Sequence, residues 1–142
     1  MRDLRYGIEI EMTGLSRGKA AETLAGFFGT RAEHTGGSYD AYAVRDAQGR
    51  VWKIVSDGSI QTQKKVRGQT VAADSTYSVE LVSPVCVYED IETIQEIVRA
   101  LRRNNALVND SCGIHVHVGA EKFDAQHLRN ITNIMASKEE LI

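Results

Sequence analysis

The sequence has little cysteine or proline, no excess of basic charge and no long apolar run. Its two cysteines, Cys86 and Cys112, do not make a disulfide framework and fit a reducing compartment, although one bridge between them stays open. A net charge of −2 provides no global basic field, so we expect neither nucleic acid nor an anionic membrane surface as a partner. No apolar run approaches the roughly 20 residues that span a bilayer. The start of the chain lacks the apolar core of a secretion signal, so we expect a cytoplasmic protein.

The remaining composition is that of an ordinary folded domain, with 42% hydrophobic and 25% charged residues. A length of 142 residues suits one domain, and we assign residues 1–142 to it. The last five residues, KEELI, still have helical character. We therefore expect this domain to be the N-terminal part of a longer one.

Apolar periodicity predicts both strands and helices along the chain. Ile8, Ile10 and Met12 alternate with acidic residues, which indicates a strand, whereas residues 16–29 have apolar side chains at helical spacing. The predicted elements are strands at 6–12, 76–83, 106–108 and 112–119, a hairpin at 39–57 around the turn DAQG, helices at 16–29, after Asp90 and from Asp124, and loops at 30–38 and 60–75. This order favours an α+β fold, with an antiparallel sheet and helices packed on one of its faces.

Acidic and imidazole residues recur on these predicted strands. The set consists of Glu9, Glu11, Asp57, Glu80, His115 and His117. Side chains two residues apart on a strand share a face, about 7 Å apart, so the apolar neighbours can pack against helices while this set lies on the opposite face. Several ionised carboxylates at close range would raise one another's pKa, and a divalent cation relieves that repulsion. Because oxygen ligands dominate and no thiolate takes part, the set favours Mg²⁺ or Mn²⁺ over structural zinc.

Each of these motifs also has a more ordinary interpretation. An E-x-E alternation is more often the solvated face of a strand than a metal site, and Asp57 before Gly58 is typical of a turn. Histidine is uncommon on exposed strands but common as a ligand, so the H-x-H motif alone does not decide. The short basic run of Lys64, Lys65 and Arg67 is most simply a solvated loop. Only the conjunction on one sheet face favours a metal site.

A second metal chemistry is also compatible with the histidine motif. The segment HVHVGAE matches the H-x-H-x-x-x-E fragment of cupin barrels, which would make Glu121 a ligand and the protein an oxygenase. Cupins also have a glycine six residues before the first histidine, where this chain has Asn109. They have a further histidine on a downstream strand, whereas a helix is predicted here. We therefore rank this alternative below the next one.

Taken in order, four segments resemble the blocks of the amidoligase family, which belongs to the superfamily that shares the glutamine synthetase fold. The segments are YGIEIEMTG, WKIVSDGSI, YSVELVSPV and CGIHVHVG. The resemblance covers residues 6–119 and the helix that follows. It implies an ATP-dependent carboxylate–amine ligase, in which ATP phosphorylates a carboxylate and an amine displaces the phosphate to form an amide. Small-molecule or peptide carboxylates and amines are the implied substrates, with Mg²⁺ or Mn²⁺ bridging the phosphates.

The resemblance also implies roles for individual residues. Glu9 and Glu11 match the metal-binding E-x-E pair of the family. Glu80 and His115 match two further metal ligands. The implied catalytic residues are His117, near the nucleotide phosphates, and Asp57, at the metal or the amine site.

Water must be kept from the acyl phosphate, so a closing segment is expected. We predict that residues 60–75 form it and that Lys64, Lys65 and Arg67 bind ATP. Members of the family extend beyond the end of this chain and supply further ATP-binding and acidic residues there. A homo-oligomer or a longer chain would complete such a site. The alternative is a module of the same fold that binds metal or nucleotide without catalysis.

Overall fold

The computed structural model describes residues 4–119 and 125–136, which include a six-stranded antiparallel sheet and a separate two-stranded one. The strands are β1 (Tyr6–Met12), β2 (Ala32–Gly36), β3 (Ala41–Arg45), β4 (Val51–Val55), β5 (Gln63–Val66), β6 (Gln69–Ala72), β7 (Val79–Val82) and β8 (Ile114–Val118). The α-helices are α1 (Arg17–Phe28), α2 (Ile91–Arg103) and α3 (Ala125–Ala136), with short 3-10 helices at Ser75–Tyr77 and Tyr88–Asp90.

Six strands form the main sheet in the order β2-β3-β4-β7-β1-β8, and every neighbouring pair is antiparallel. Two helices, α1 and α2, pack on one face of it and against each other. The predicted α+β class is therefore confirmed. Because β1 lies between β7 and β8, the E-x-E segment is flanked by the strands that carry Glu80 and the two histidines.

The face of the sheet under α1 and α2 forms the hydrophobic core. Ile10 pairs with Leu81, which pairs with Ile54, so one row of apolar side chains crosses three strands. All three are at most 2% exposed. Burial of such side chains contributes about 1.5–3 kcal/mol each, which explains why the alternation in the sequence fixes the faces of the sheet.

Local sequence signals set the ends of α1 as predicted. The Ser16 hydroxyl accepts a hydrogen bond from the Lys19 N–H at 3.1 Å, which satisfies one of the free donors of the first turn. Gly29 ends the helix with a left-handed φ of 71°, a conformation that costs glycine little. The hairpin predicted around DAQG is also present as β3 and β4.

Two segments predicted to be loops contain strands instead. Residues 30–38 include β2, which pairs with β3 at the edge of the sheet although its side chains are mostly exposed and give little apolar pattern. Residues 60–75 include the hairpin β5–β6. Arg67 and Gly68 have φ values of 52° and 79° at its tip, typical of the two-residue turns that join antiparallel strands. Because this exposed hairpin is mostly polar, its sequence has no apolar alternation from which strands could be predicted.

Other details of the sequence prediction also change. Asp90 precedes α2, but its carboxylate does not cap the helix; it accepts from the Val87 N–H at 2.8 Å and pairs with Arg50 at 2.9 Å. The predicted strand at 106–108 is reduced to one bridge between Leu107 and Thr13. Both cysteines are free. Asp124 lies outside the described residues, although the helix predicted from it is present as α3.

None of the helices in residues 4–119 and 125–136 is both long and apolar enough to cross a bilayer.

Candidate metal centre

The strand β1 brings the acidic and imidazole residues together through its pairing with both neighbours. Glu11 lies opposite Glu80 on β7, and Glu9 lies opposite His115 on β8. Residues directly opposite on antiparallel strands point to the same face. This face is the one turned away from the core, because the alternate residues of β1 are buried under the helices.

Glu9 lies between the two imidazoles of β8. One carboxylate oxygen is 3.4 Å from His115 Nδ1 and the other is 3.3 Å from His117 Nε2. The neighbouring His117, and with it His115, lowers the pKa of Glu9 below its ordinary value. The histidine side chains are 56% and 67% exposed, so this end of the cluster is open to solvent and to ligands.

Glu11 is the buried member of the E-x-E pair, with only 5% of the residue exposed. Its Oε2 accepts a hydrogen bond from the Gly113 N–H at 2.7 Å. Burial raises the pKa of Glu11, and the nearby Asp57 carboxylate raises it further. The interpretation of Glu11 as a solvated strand residue is therefore wrong.

Glu80 is shared by two groups of possible ligands. Its carboxylate lies with Glu9 and His115 in one group and with Glu11 and Asp57 in the other, and within each group the ligand atoms lie within 4.8 Å of one another. Burial, followed by the charge of Glu9, raises the pKa of Glu80 to about 7. A carboxyl group held partly protonated near neutral pH can gain a cation in exchange for its proton.

Asp57 is both a turn residue and a member of the cluster. Its Oδ1 accepts hydrogen bonds from the backbone N–H and the hydroxyl of Ser59, each at 2.8 Å. The backbone bond from Ser59, followed by its hydroxyl bond, lowers the pKa of Asp57. The turn therefore holds an ionised carboxylate beside Glu11 and Glu80, and the two interpretations of this residue are compatible.

The chemistry of this donor set suits a hard divalent cation. Four carboxylates and an exposed pair of imidazoles converge, with no thiolate among the grouped residues. Mg²⁺ and Mn²⁺ prefer oxygen ligands and accept imidazole as a minority donor. Without a cation, burial and mutual repulsion oppose ionisation of Glu80 and Glu11. The residues thus fit one divalent cation, or two that share Glu80.

The three basic residues predicted to bind ATP lie on the β5–β6 hairpin. Lys64 Nζ is 5.6 Å from the centre of the Tyr77 ring, whereas Lys65 and Arg67 are exposed. The base of the hairpin is fixed beside the end of β1, because the Thr13 hydroxyl and the Gln63 backbone exchange hydrogen bonds of 2.9–3.0 Å. The hairpin is therefore rooted next to the acidic face.

Sequence reasoning missed Lys53, which lies on the same face. Lys53 on β4 pairs with Val82 on β7, and Val82 pairs with Glu9 on β1. Lys53 is therefore two strands away from Glu9 in the same cross-strand row, a backbone separation of about 10 Å. In the described part of the chain, its ammonium group has no ion-pair partner. Its alternation with Trp52 and Ile54 in the sequence could have revealed that it faces away from the core.

The fold and this cluster define an α+β domain whose sheet face opposite the core carries carboxylates and imidazoles at metal-ligand spacing. The chain matches the model of the family described as "Putative amidoligase enzyme" over residues 2–142, so it belongs to that family. Comparisons with curated proteins and with solved structures each found no match. The membership confirms the resemblance drawn from the four sequence segments. Glu121, the ligand of the cupin alternative, lies outside the described residues.

Proposed function

We propose that this protein is an ATP-dependent carboxylate–amine ligase that uses Mg²⁺ or Mn²⁺, with the architecture of the glutamine synthetase superfamily. The observation that carries the proposal is the convergence of two ligand groups on Glu80, on the open face of an antiparallel sheet. Membership in an amidoligase family supports amide formation as the reaction. Anionic phosphates require a site that can neutralise their charge, and this cluster would do so once it holds cations.

The proposed reaction has two steps. An oxygen of the substrate carboxylate attacks the γ-phosphorus of ATP, the bond to the bridging oxygen breaks, and ADP leaves. The nitrogen of the amine then attacks the acyl carbon, the carbon–oxygen bond to phosphate breaks, and the nitrogen loses a proton as the amide forms. Glu9, Glu11, Glu80 and His115 would hold the divalent cations, which when bound neutralise phosphate charge and polarise the reacting phosphoryl group.

The other residues of the face have complementary roles in this proposal. Asp57, ionised and oriented by Ser59, accepts the proton of the attacking amine. His117 is exposed beside Glu9 and donates a hydrogen bond to a phosphate oxygen. The ammonium of Lys53 attracts an anionic group of ATP or of the carboxylate substrate.

The β5–β6 hairpin is the proposed closing segment. Its root lies at the acidic face, and its exposed positions carry Lys65 and Arg67. Closure over ATP would bring positive charge to the phosphates and exclude water from the acyl phosphate. Completion of the nucleotide site by a second copy of the chain remains part of the proposal.

Trapping of the acyl phosphate tests this function. The purified protein is incubated with ATP, Mg²⁺, a panel of amino acids and carboxylate peptides, and hydroxylamine, which displaces phosphate from acyl phosphates to form hydroxamates. An iron(III) salt added afterwards forms a coloured complex with the hydroxamate. We expect hydroxamate and ADP in equal amounts, both dependent on the carboxylate. Glu80→Gln should lower the rate at least a hundredfold, whereas Glu33→Gln should not. Glu33 is the matched control because it is exposed on β2, in the same sheet and far from the cluster.

Mn²⁺ binding without hydroxamate or ADP from any substrate would instead indicate a non-catalytic metal-binding module. Equal rates in the Glu80 and Glu33 variants would show that the acidic cluster takes no part in the reaction.

A further inference from the structure

The hydroxyl of Ser78 forms hydrogen bonds with both the N–H and the carbonyl of Asp57. Ser78 Oγ accepts a hydrogen bond from the Asp57 N–H at 2.8 Å and donates one to the Asp57 carbonyl at 2.6 Å. Ser78 is 4% exposed, so water does not replace these bonds easily. The two residues are 21 positions apart, and the whole β5–β6 hairpin lies between them. Ser78 thus joins the two ends of the segment that carries the hairpin, at the backbone of Asp57.

A buried arginine in turn fixes Ser78. Arg17, 5% exposed, donates from Nη1 to the carbonyls of Ser78 at 2.8 Å and Ser75 at 2.6 Å. Its Nε and Nη2 donate to Asp40 Oδ2 at 3.2 Å and 2.8 Å. All three guanidinium nitrogens therefore donate hydrogen bonds. These bonds connect the start of α1 to the turn at Asp40 and to residues 75–78, which follow the hairpin.

The position of Arg17 is electrostatically unfavourable for a purely structural residue. It is the first residue of α1, and the N-terminal end of a helix disfavours a cation. Burying the guanidinium also costs desolvation energy, because the Arg17 side chain is 6% exposed whereas that of its partner Asp40 is 46% exposed. The bonds of the guanidinium to the Ser78 and Ser75 carbonyls and to Asp40 offset this cost.

We propose that Ser78 and Arg17 are positioning residues that fix the position of the Asp57 carboxylate relative to Glu11 and Glu80. The inference rests on the proposed function, because it gives the acidic cluster its role. The chain of contacts is short: Arg17 fixes the Ser78 carbonyl, the Ser78 hydroxyl fixes the Asp57 peptide, and Ser59 orients Oδ1. Neither Arg17 nor Ser78 belongs to the groups of possible metal ligands.

Mn²⁺ affinity measured by calorimetry tests the inference without a known substrate. Ser78→Ala should weaken Mn²⁺ binding about tenfold at a temperature where circular dichroism shows native structure. Ser78→Thr, which keeps the hydroxyl, should restore the affinity to within twofold. Arg17→Lys, which lacks the fork that holds two carbonyls and Asp40, should have an intermediate effect. In the metal-free protein, Ser78→Ala should also accelerate hydrogen exchange of the Asp57 amide at least tenfold.

Asp46→Asn is the control for loss of stability. Asp46 is buried and hydrogen-bonded to Trp52 and Arg50 at the far end of the β3–β4 hairpin. This variant should lower the melting temperature yet keep wild-type Mn²⁺ affinity. Wild-type affinity in Ser78→Ala, or equal weakening in Asp46→Asn, would overturn the inference while leaving the proposed function intact. Absence of Mn²⁺ binding by the wild-type protein would overturn the proposed function and the inference with it.

Discussion

At the scale of single residues, Glu80 has the environment that most directly links structure to cation binding. It is partly buried among carboxylates, and its pKa is raised to about 7. A raised carboxyl pKa means that the metal-free native state retains a proton that the unfolded chain has already lost between about pH 4.5 and 7. Glu80 therefore makes the metal-free protein less stable as the pH rises through this range.

Proton release on cation binding follows from the same pKa. At pH 6 Glu80 is mostly protonated, so Mn²⁺ must displace about one proton from it. The apparent Mn²⁺ affinity should rise about tenfold per pH unit below pH 6 and level off above pH 7. Calorimetry at pH 6 in buffers of different ionisation enthalpy measures the number of protons released. A pH-independent affinity in the wild type, or an unchanged pH profile in Glu80→Gln, would contradict this role.

Lys53 provides a second prediction at this scale. Removing the only charge of this side chain, in Lys53→Met, should raise the KM of an anionic substrate about tenfold and leave Mn²⁺ affinity within twofold. A rise confined to the KM of ATP would assign Lys53 to phosphate, and a rise confined to the carboxylate substrate would assign it there. Lys19→Met, on the exposed surface of α1, is the control. Unchanged KM values for both substrates would exclude Lys53 from binding.

The face of the sheet on which each site residue lies could be predicted, because successive side chains of a strand point to opposite faces. The alternation around Glu9 and Glu11 predicted their common face, and the pairing with Glu80 and His115 brings that set together. The degree of burial of each site residue could not be predicted. Glu11 is buried and bonded to Gly113, 102 positions away, through a contact that only the order of the strands creates.

At the scale of elements, the β5–β6 hairpin was the least predictable part of the chain. Its residues are mostly polar and exposed, so no buried face imposed an apolar alternation, and the segment was expected to be a loop. The turn at Arg67 and Gly68 and the anchor at Gln63 define it instead. The basic side chains are therefore presented on a regular ribbon.

The charges of this hairpin can be removed without disturbing the sheet. The triple variant Lys64→Gln, Lys65→Gln, Arg67→Gln should raise the KM of ATP at least tenfold, because attraction to the phosphates is lost. Mn²⁺ affinity should stay within twofold, since none of the three residues belongs to the acidic groups. Steady-state kinetics of the hydroxamate assay provide the KM. An unchanged KM of ATP would exclude the hairpin from nucleotide binding.

The β3–β4 hairpin and the start of α2 are joined by a buried ionic network. Arg50 pairs with Asp46 and Asp90, each at 2.9 Å, and Asp46 also accepts from the Trp52 indole at 3.0 Å. The ion pair with Arg50 lowers the pKa of Asp90, so the stability that it contributes is present above about pH 4. That contribution is lost as the pH falls through the lowered native pKa.

Asp46→Asn should reduce the free energy of unfolding by about 2 kcal/mol at pH 7, because the charge is lost and the amide NH2 group cannot accept the hydrogen bonds that one carboxylate oxygen accepts. The loss should shrink as the pH falls below 4, where the wild-type carboxylates also become protonated. Urea denaturation at pH 7 and pH 3 measures both values. A loss of equal size at the two pH values would show that charge does not stabilise this network.

At the scale of the whole molecule, the order β2-β3-β4-β7-β1-β8 is what converts dispersed sequence motifs into one cluster. The sequence predicted the class of fold and five of the six strands of the main sheet, and missed β2, whose side chains are mostly exposed. It did not predict this order, since the position of β1 between β7 and β8 depends on long-range pairing such as that of Tyr6 with Val118.

The central claim is that Glu80 joins two ligand groups into one site for divalent cations. Titration calorimetry with Mn²⁺ at pH 7.5 tests it most directly, on the wild-type protein, Glu80→Gln and the control Glu33→Gln. We predict one or two Mn²⁺ per wild-type chain, the same stoichiometry and affinity for Glu33→Gln, and at least a hundredfold weaker binding for Glu80→Gln. Wild-type affinity in Glu80→Gln would contradict the account.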